Sequence, residues 1–316
     1  MKIAAGKRIV DRFGAAACDI CPQIEWLVYE PPGNWSSAPE EMEIAVLIDD
    51  AYTAAFKDAV LNAPRLRWVH TENSGIDDPF YHKLLDRGIC LTTSPGANSP
   101  AVAEFVFGLI LSSVKRLDGY RSLQGQHRWQ RLEMESLSDK TILVVGLGAI
   151  GSRVAPIAKA FGMHVLGIRR TDRLTAAVDE LGTPDDLDEF LARADIVVLA
   201  LPYLPSTHNL IGARQFLLMK EKVLLINIAR GGIIDSAALQ QALASRPAMQ
   251  ACLDVFCKEP LPAEDPLWNC PNLLITPHVA FCSPLFRPRA ATLWLGNLGR
   301  FLEGKHLMHT AAKGSL

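Results

Sequence analysis

Residues 141–151 read Thr-Ile-Leu-Val-Val-Gly-Leu-Gly-Ala-Ile-Gly, an apolar run that passes straight into a Gly-x-Gly-x-x-Gly. Glycine is common, and the motif alone says little. Closing a strand and opening a helix, it constrains the chain strongly, because that order is the phosphate cradle of a dinucleotide site. Gly146 permits the tight turn, Gly148 lets the backbone approach a pyrophosphate, and Gly151 lets the next helix pack close to the strand. The helix start, at Ala149, Ile150 and Gly151, offers N–H groups and a positive dipole end to the phosphates.

The chain around the cradle follows suit. Val154–Phe161 reads as a helix stopped by Gly162, and His164–Ile168 as a second strand. Ile196–Ala200 and Val223–Ile228 are continuous apolar runs, the pattern of parallel strands covered on both faces. Helical stretches at Leu187–Arg193 and Ser236–Ala244 alternate with them, which predicts a parallel, doubly wound sheet.

The first hundred residues repeat the alternation without a glycine motif. Strands are expected at Ile24–Tyr29, Ile44–Ile48, Leu66–His70 and Ile89–Thr93, and helices at Tyr52–Leu61 and Asp78–Asp86. The breaker cluster from Ser94 to Pro100 marks a crossing between domains. Ser99 and Pro100 suit the start of a long helix carrying Ala101–Leu117. That helix is apolar almost all round, so it is buried between domains or against a second copy of the chain. Cys282–Pro288 marks the return crossing, and Leu293–Leu302 the helix that goes back. The expected organisation is a first domain at 1–98, a dinucleotide domain at 99–284 inserted into it, and a return segment at 285–316.

Composition narrows the function classes. A length of 316 residues allows two real cores. A net charge of −2 gives no reason to expect nucleic acid or an anionic membrane as partner. No apolar run approaches the ~18 residues of a membrane span, and the first residues lack a secretory pattern. Seven scattered cysteines favour reduced thiols in the cytoplasm. Cys18 and Cys21 form a CxxC with no second pair, so no metal site is expected and two unrelated buried thiols are favoured over a redox pair.

Three further segments carry chemistry: Asn227-Ile-Ala-Arg230-Gly-Gly-Ile-Ile-Asp235, Asp254-Val-Phe-Cys-Lys-Glu259-Pro260-Leu-Pro262, and Thr276-Pro-His278-Val-Ala280. With these, and with Ala101-Val-Ala-Glu104 and Leu201-Pro202, the chain resembles the D-isomer-specific 2-hydroxyacid dehydrogenases. The resemblance covers the dinucleotide domain and is weak in the first domain, mainly at Asn73-Ser-Gly75-Ile-Asp77. It implies an α/β fold of two doubly wound parallel-sheet domains, a Rossmann domain inserted in a flavodoxin-like substrate domain. It also implies an oxidoreductase acting on a small 2-keto acid, glyoxylate or hydroxypyruvate first, with a nicotinamide cofactor.

The roles implied fit the residue types. Arg230 has a planar guanidinium able to grip a carboxylate and the adjacent carbonyl. His278 would protonate the carbonyl oxygen, and Glu259 would hydrogen-bond and orient it. Asp254 would face the nicotinamide end of the cofactor, with Leu201, Pro202, Ala229 and His278 also lining its site. Main-chain amides of Ser74, Gly75 and Ile76 would hold the substrate carboxylate. After His278 the family continues with small residues, whereas this chain has Phe281, which would line or cover the substrate pocket or turn into the seam between domains. Trp129 belongs to a part of the family that reaches a neighbouring subunit, and is read first as an interface or core residue. His208 is given no chemical role.

The second strand of a cradle normally ends in an acidic residue that binds the ribose 2′-OH. Here Ile168 is followed by Arg169-Arg170-Thr171-Asp172-Arg173. Arg169 directly after the strand would pair with a 2′-phosphate, with Arg170 and Thr171 adding donors, so NADPH is expected over NAD. The rival takes Asp172 as the ribose acid. Two rival functions stand beside the leading one: a reductase of larger aliphatic or aromatic 2-keto acids, and a dinucleotide-sensing, corepressor-like regulator. A homodimer through the apolar helix is expected.

Overall fold

The computed structural model describes residues 1–170 and 177–312. The chain forms two compact units, one of residues Met1–Asn98 with the chain from Cys282 onward, the other Ser99–Phe281. The second crossing falls at Cys282, the first residue of the expected Cys282–Pro288 crossing and ahead of the domain boundary expected at 285.

In the first unit the strands are β1 (Lys2–Gly6), β2 (Glu25–Glu30), β3 (Asn34–Trp35), β4 (Ile44–Leu47), β5 (Trp68–Thr71) and β6 (Cys90–Thr92), with helices α1 (Lys7–Ile20), α2 (Ala54–Asn62) and α3 (Pro79–Asp86). The sheet order is β3-β2-β1-β4-β5-β6. Every pair is parallel except β2–β3, an antiparallel hairpin at the edge. Leaving that hairpin strand aside, the order is the 2-1-3-4-5 of flavodoxin-like sheets. No element is expected before Ile24, yet β1 is the central strand. Its core residues are Ile3, Ala4 and Ala5, and alanine carries little strand signal of its own.

The core of this unit holds a polar chain. His70 is fully buried on β5, with Nδ1 2.8 Å from Thr92 Oγ1 and Nε2 3.0 Å from Ser94 Oγ. Trp68 Nε1 donates to Thr92 Oγ1, and Ser94 Oγ donates to the Thr71 carbonyl. These donors leave Thr92 giving its proton to Nδ1 and Ser94 accepting from Nε2–H, which is one neutral tautomer of His70. Burial accordingly pushes its pKa down to about 3.

The second unit contains helices α4 (Ser99–Val114), α5 (Leu117–Gly125), α6 (Gly151–Ala160), α7 (Leu187–Arg193), α8 (Ala213–Leu218) and α9 (Ser236–Ser245). Its strands are β7 (Thr141–Val145), β8 (His164–Ile168), β9 (Glu180–Gly182), β10 (Ile196–Leu199), β11 (Leu224–Asn227), β12 (Gln250–Leu253) and β13 (Leu273–Ile275). They run in the order β13-β12-β11-β10-β7-β8-β9, all parallel. This is the Rossmann order extended by a seventh strand. Alternate residues enter opposite cores: Leu143 and Val145 one face, Ile142 and Val144 the other. β9 and α8, too short to show a period, are additions to the expected elements.

Two helices differ from expectation. The long helix stops at Val114, because Arg116 adopts left-handed φ 54° and the chain restarts as α5. The return helix, α10 (Phe286–Leu302), begins seven residues earlier than Leu293. Pro288 lies in its first turn, where its missing N–H costs no hydrogen bond, so that proline does not mark a break.

Candidate active site

Loops at the carboxyl ends of three adjacent strands, β11, β12 and β13, carry the candidate catalytic residues, the edge at which α/β sheets collect ligands. Asn227 ends β11 and is buried. Its Nδ2 donates to the Arg230 carbonyl at 2.9 Å and its Oδ1 accepts from Ala229 N at 3.0 Å, so one side chain shapes the turn that presents Arg230. The Arg230 guanidinium donates from Nη1 to the Ala229 carbonyl at 2.8 Å. At Gly231 a Cβ would lie 2.0 Å from the Phe256 carbonyl carbon, so the Arg230 turn meets the next loop backbone to backbone.

That next loop carries Glu259. Its Oε1 accepts from Phe256 N at 2.8 Å, and its Oε2 lies 2.7 Å from His278 Nδ1. With a carboxylate at Nδ1, the proton there is fixed and Nε2 is the atom left to exchange a proton. The two side chains are 41% and 35% exposed, so the imidazole is within reach of a substrate. His278 has φ 52°, a left-handed backbone that costs a non-glycine residue about 1–2 kcal/mol. Strain of this kind concentrates at functional sites.

A family model described as D-isomer specific 2-hydroxyacid dehydrogenase, NAD binding domain, matches residues 107–280. The chain belongs to that family. It is 35% identical over 294 residues, 89% of this chain and 86% of the relative, to a glyoxylate reductase of Aeropyrum pernix. A family structure from Aeromonas salmonicida shares 32% identity, covers 98% of both chains and superposes with a TM-score of 0.86. An NADPH-dependent glyoxylate/hydroxypyruvate reductase of Sinorhizobium meliloti, solved with NADP and sulfate, shares 27% identity over 99% of this chain and 98% of that chain, with a TM-score of 0.81. This 2-hydroxyacid dehydrogenase is an NAD(P)-dependent enzyme, and its cofactor is a nicotinamide dinucleotide.

The residues present fit that cofactor. Gly146 has φ 101°, and a Cβ there would sit 2.6 Å from the Ala200 carbonyl oxygen; at Gly151 it would sit 2.1 Å from the Gly146 oxygen. At Gly148 a Cβ would meet nothing within 4 Å, so this is the open side of the turn, where a pyrophosphate can approach. No side chain caps α6. Ser152 N and Arg153 N donate to the Gly148 and Ile150 carbonyls at 3.0 and 2.8 Å, so phosphate oxygens would be met by the amides at the very start of the turn, at Ala149, Ile150 and Gly151.

The other expected residues are distributed as follows. Arg169 is half-buried directly after β8, its N–H bonded to the Gly182 carbonyl, and Arg170 is exposed. Thr171 and Asp172 lie outside the described residues. Leu201 and Pro202 follow β10, and Ala229 is buried beside Arg230. Ser74, Gly75 and Ile76 lie in the first unit between β5 and α3, with Ile76 buried. Phe281 packs on the core beneath α4 and α6 and meets the His278 ring edge-on, centroids 5.8 Å apart. His208 bonds the Tyr203 hydroxyl at 3.1 Å. Asn227 and Thr276 have roles that no motif announced: the Asn227 side chain bonds the backbone of its own turn, and the Thr276 hydroxyl bonds Asp254 on the neighbouring loop.

Proposed function

We propose that this enzyme reduces a small 2-keto acid, glyoxylate or hydroxypyruvate, to the D-2-hydroxy acid with NADPH. The observation that carries this reading is the His278–Glu259 pair one strand away from the Arg230 turn. The reduced nicotinamide, when bound, supplies the hydride. Arg230 binds the substrate as a planar cation, pairing with its carboxylate and polarising the neighbouring carbonyl. His278 delivers the proton from Nε2 to the carbonyl oxygen, and takes it back in the oxidative direction. Glu259 holds Nδ1, which keeps Nε2 aimed outward. Gly146, Gly148 and Gly151 with the α6 N-terminus hold the pyrophosphate, and Arg169 favours the 2′-phosphate of NADPH.

The Aeropyrum and Sinorhizobium relatives support the small-substrate reading through their own activities. Phe281 supports it too, since its ring is engaged by His278 and the core. Seven free cysteines fit a reducing cytoplasm, and among the described residues no helix is long and apolar enough to cross a membrane.

A panel of 2-keto acids followed by NADPH and NADH absorbance tests the proposal. The highest kcat/KM is expected for glyoxylate or hydroxypyruvate with NADPH. A maximum at branched or aromatic keto acids would transfer the assignment to the larger class. Dinucleotide binding with no turnover on the whole panel would favour the regulator.

A further inference from the structure

Asp254 follows β12 and is 1% exposed. A carboxylate at that depth persists only with donors around it. Its Oδ1 accepts from Thr276 Oγ1 at 2.6 Å and from Val279 N at 2.9 Å, and its Oδ2 accepts from Ala280 N at 2.9 Å. These three donors flank His278 on both sides. Because His278 is left-handed, the two amides after it converge on one acceptor, an anion-binding nest closed by the Thr276 hydroxyl. The main chain of the turn is otherwise spent: Thr276 N donates to the Leu253 carbonyl and His278 N to the Thr276 carbonyl, each at 3.0 Å.

We infer that Asp254 is a positioning residue for the reaction, whose carboxylate holds the Thr276–Ala280 turn in the one conformation that presents His278 Nδ1 to Glu259. The inference rests on reading His278 as the proton donor. It gives Asp254 a task distinct from facing the nicotinamide. The task requires an acid: an asparagine of the same size offers one acceptor oxygen, and in either orientation its amide would face a backbone N–H, of Val279 or of Ala280, which has no lone pair to give. With the nest broken, the left-handed backbone of His278 loses the bonds to Asp254 that offset its cost, and the turn relaxes.

The test compares Asp254→Asn, Thr276→Val, Thr276→Ser and His278→Gln in the full chain. It measures glyoxylate reduction, dinucleotide Kd, and the imidazole nitrogen NMR signals of His278. Asp254→Asn is expected to lower kcat roughly tenfold to a hundredfold, the effect of a misplaced catalytic group. KM for the keto acid should stay within about threefold, since Arg230 is untouched, and Kd for NADPH should change by less than kcat does. The Nδ1–H signal should lose its carboxylate-bonded position. Thr276→Val should fall in the same direction, and Thr276→Ser should restore most of that loss by returning the hydroxyl. A native kcat in Asp254→Asn, or a loss confined to NADPH affinity, would overturn the inference. So would equal losses in Thr276→Val and Thr276→Ser, which also decide the question if Asp254→Asn fails to fold. His278→Gln separates the two levels. Near-native turnover there removes His278 as proton donor, whereas an inactive His278→Gln beside an undisturbed Asp254→Asn removes only the positioning role.

Discussion

At the end of β11 the Asn227 side chain bonds the backbone on both sides of the turn, and the Arg230 side chain extends from a frame that is already ordered. A guanidinium on such a frame is able to form two parallel bonds to a carboxylate, whereas an ammonium lacks the planar match. In Arg230→Lys the loss of one charge-assisted bond, about 1.5–3 kcal/mol, is expected to lower kcat/KM roughly tenfold to a hundredfold. Dinucleotide affinity should be unchanged, and steady-state kinetics beside a fluorescence titration would check both. Arg169 sits directly after β8, where a carboxylate would repel a 2′-phosphate. Arg169→Asp is therefore expected to raise KM for NADPH and shift the kcat/KM ratio toward NADH. A ratio that does not move would assign cofactor choice to other residues.

Elements make two further demands. The β7–α6 turn has no room for a side chain at Gly151, because the atom in the way is the Gly146 carbonyl oxygen rather than a flexible side chain. Gly151→Ala is expected to cost about 1–3 kcal/mol by overpacking and to abolish dinucleotide binding, as thermal melts with and without NADPH would show. The β5–β6 pair contributes a pH dependence. The folded state holds His70 neutral down to about pH 3, whereas an unfolded chain protonates it below about 6.5. Over that window the unfolded state binds more protons, so stability falls as pH falls. Glu72 and Asp50, whose carboxyls burial pushes up, act in the opposite sense. Comparing urea midpoints of the native chain and His70→Gln at pH 7 and pH 5 cancels them. The native chain is expected to lose the larger increment on acidification, and equal increments would refute the role of His70.

For the whole molecule we propose a homodimer. α4 packs on α6 within its unit, with Phe107 stacked on Phe161 at 5.5 Å, and this covers much of its apolar surface. The chain just beyond it, however, exposes Leu117, Trp129 and Met134, with Trp129 fully exposed. Exposed apolar groups of this size in one stretch of chain suit a two-fold interface with a second copy. Light scattering should give the mass of two chains, and Trp129→Ser should move the equilibrium toward one chain without lowering the stability of the monomer. A monomer mass for the native protein at assay concentrations would reject the dimer.

Local pattern made the cradle readable. A glycine motif between an apolar run and a helix is a property of eleven consecutive residues, and β7, β8, β10 and β11 each show enough apolar density to be placed. Arg230, Glu259 and His278 stand out as candidates because each lies in a short segment that follows a strand. β1 was not, because Ile3, Ala4 and Ala5 become a strand only when β2 and β4 pair on either side. The start of α10 was hidden by a proline whose harmlessness depends on where the first turn begins. The His70 chain and the Asp254 nest were equally invisible. Asp254 and Ala280 are 26 residues apart, and they meet only because β12 and β13 pair in one register. Periodicity reports which residues are buried, while hydrogen bonds between loops depend on register and on the backbone sign at single residues such as His278. Those are decided when the strands assemble.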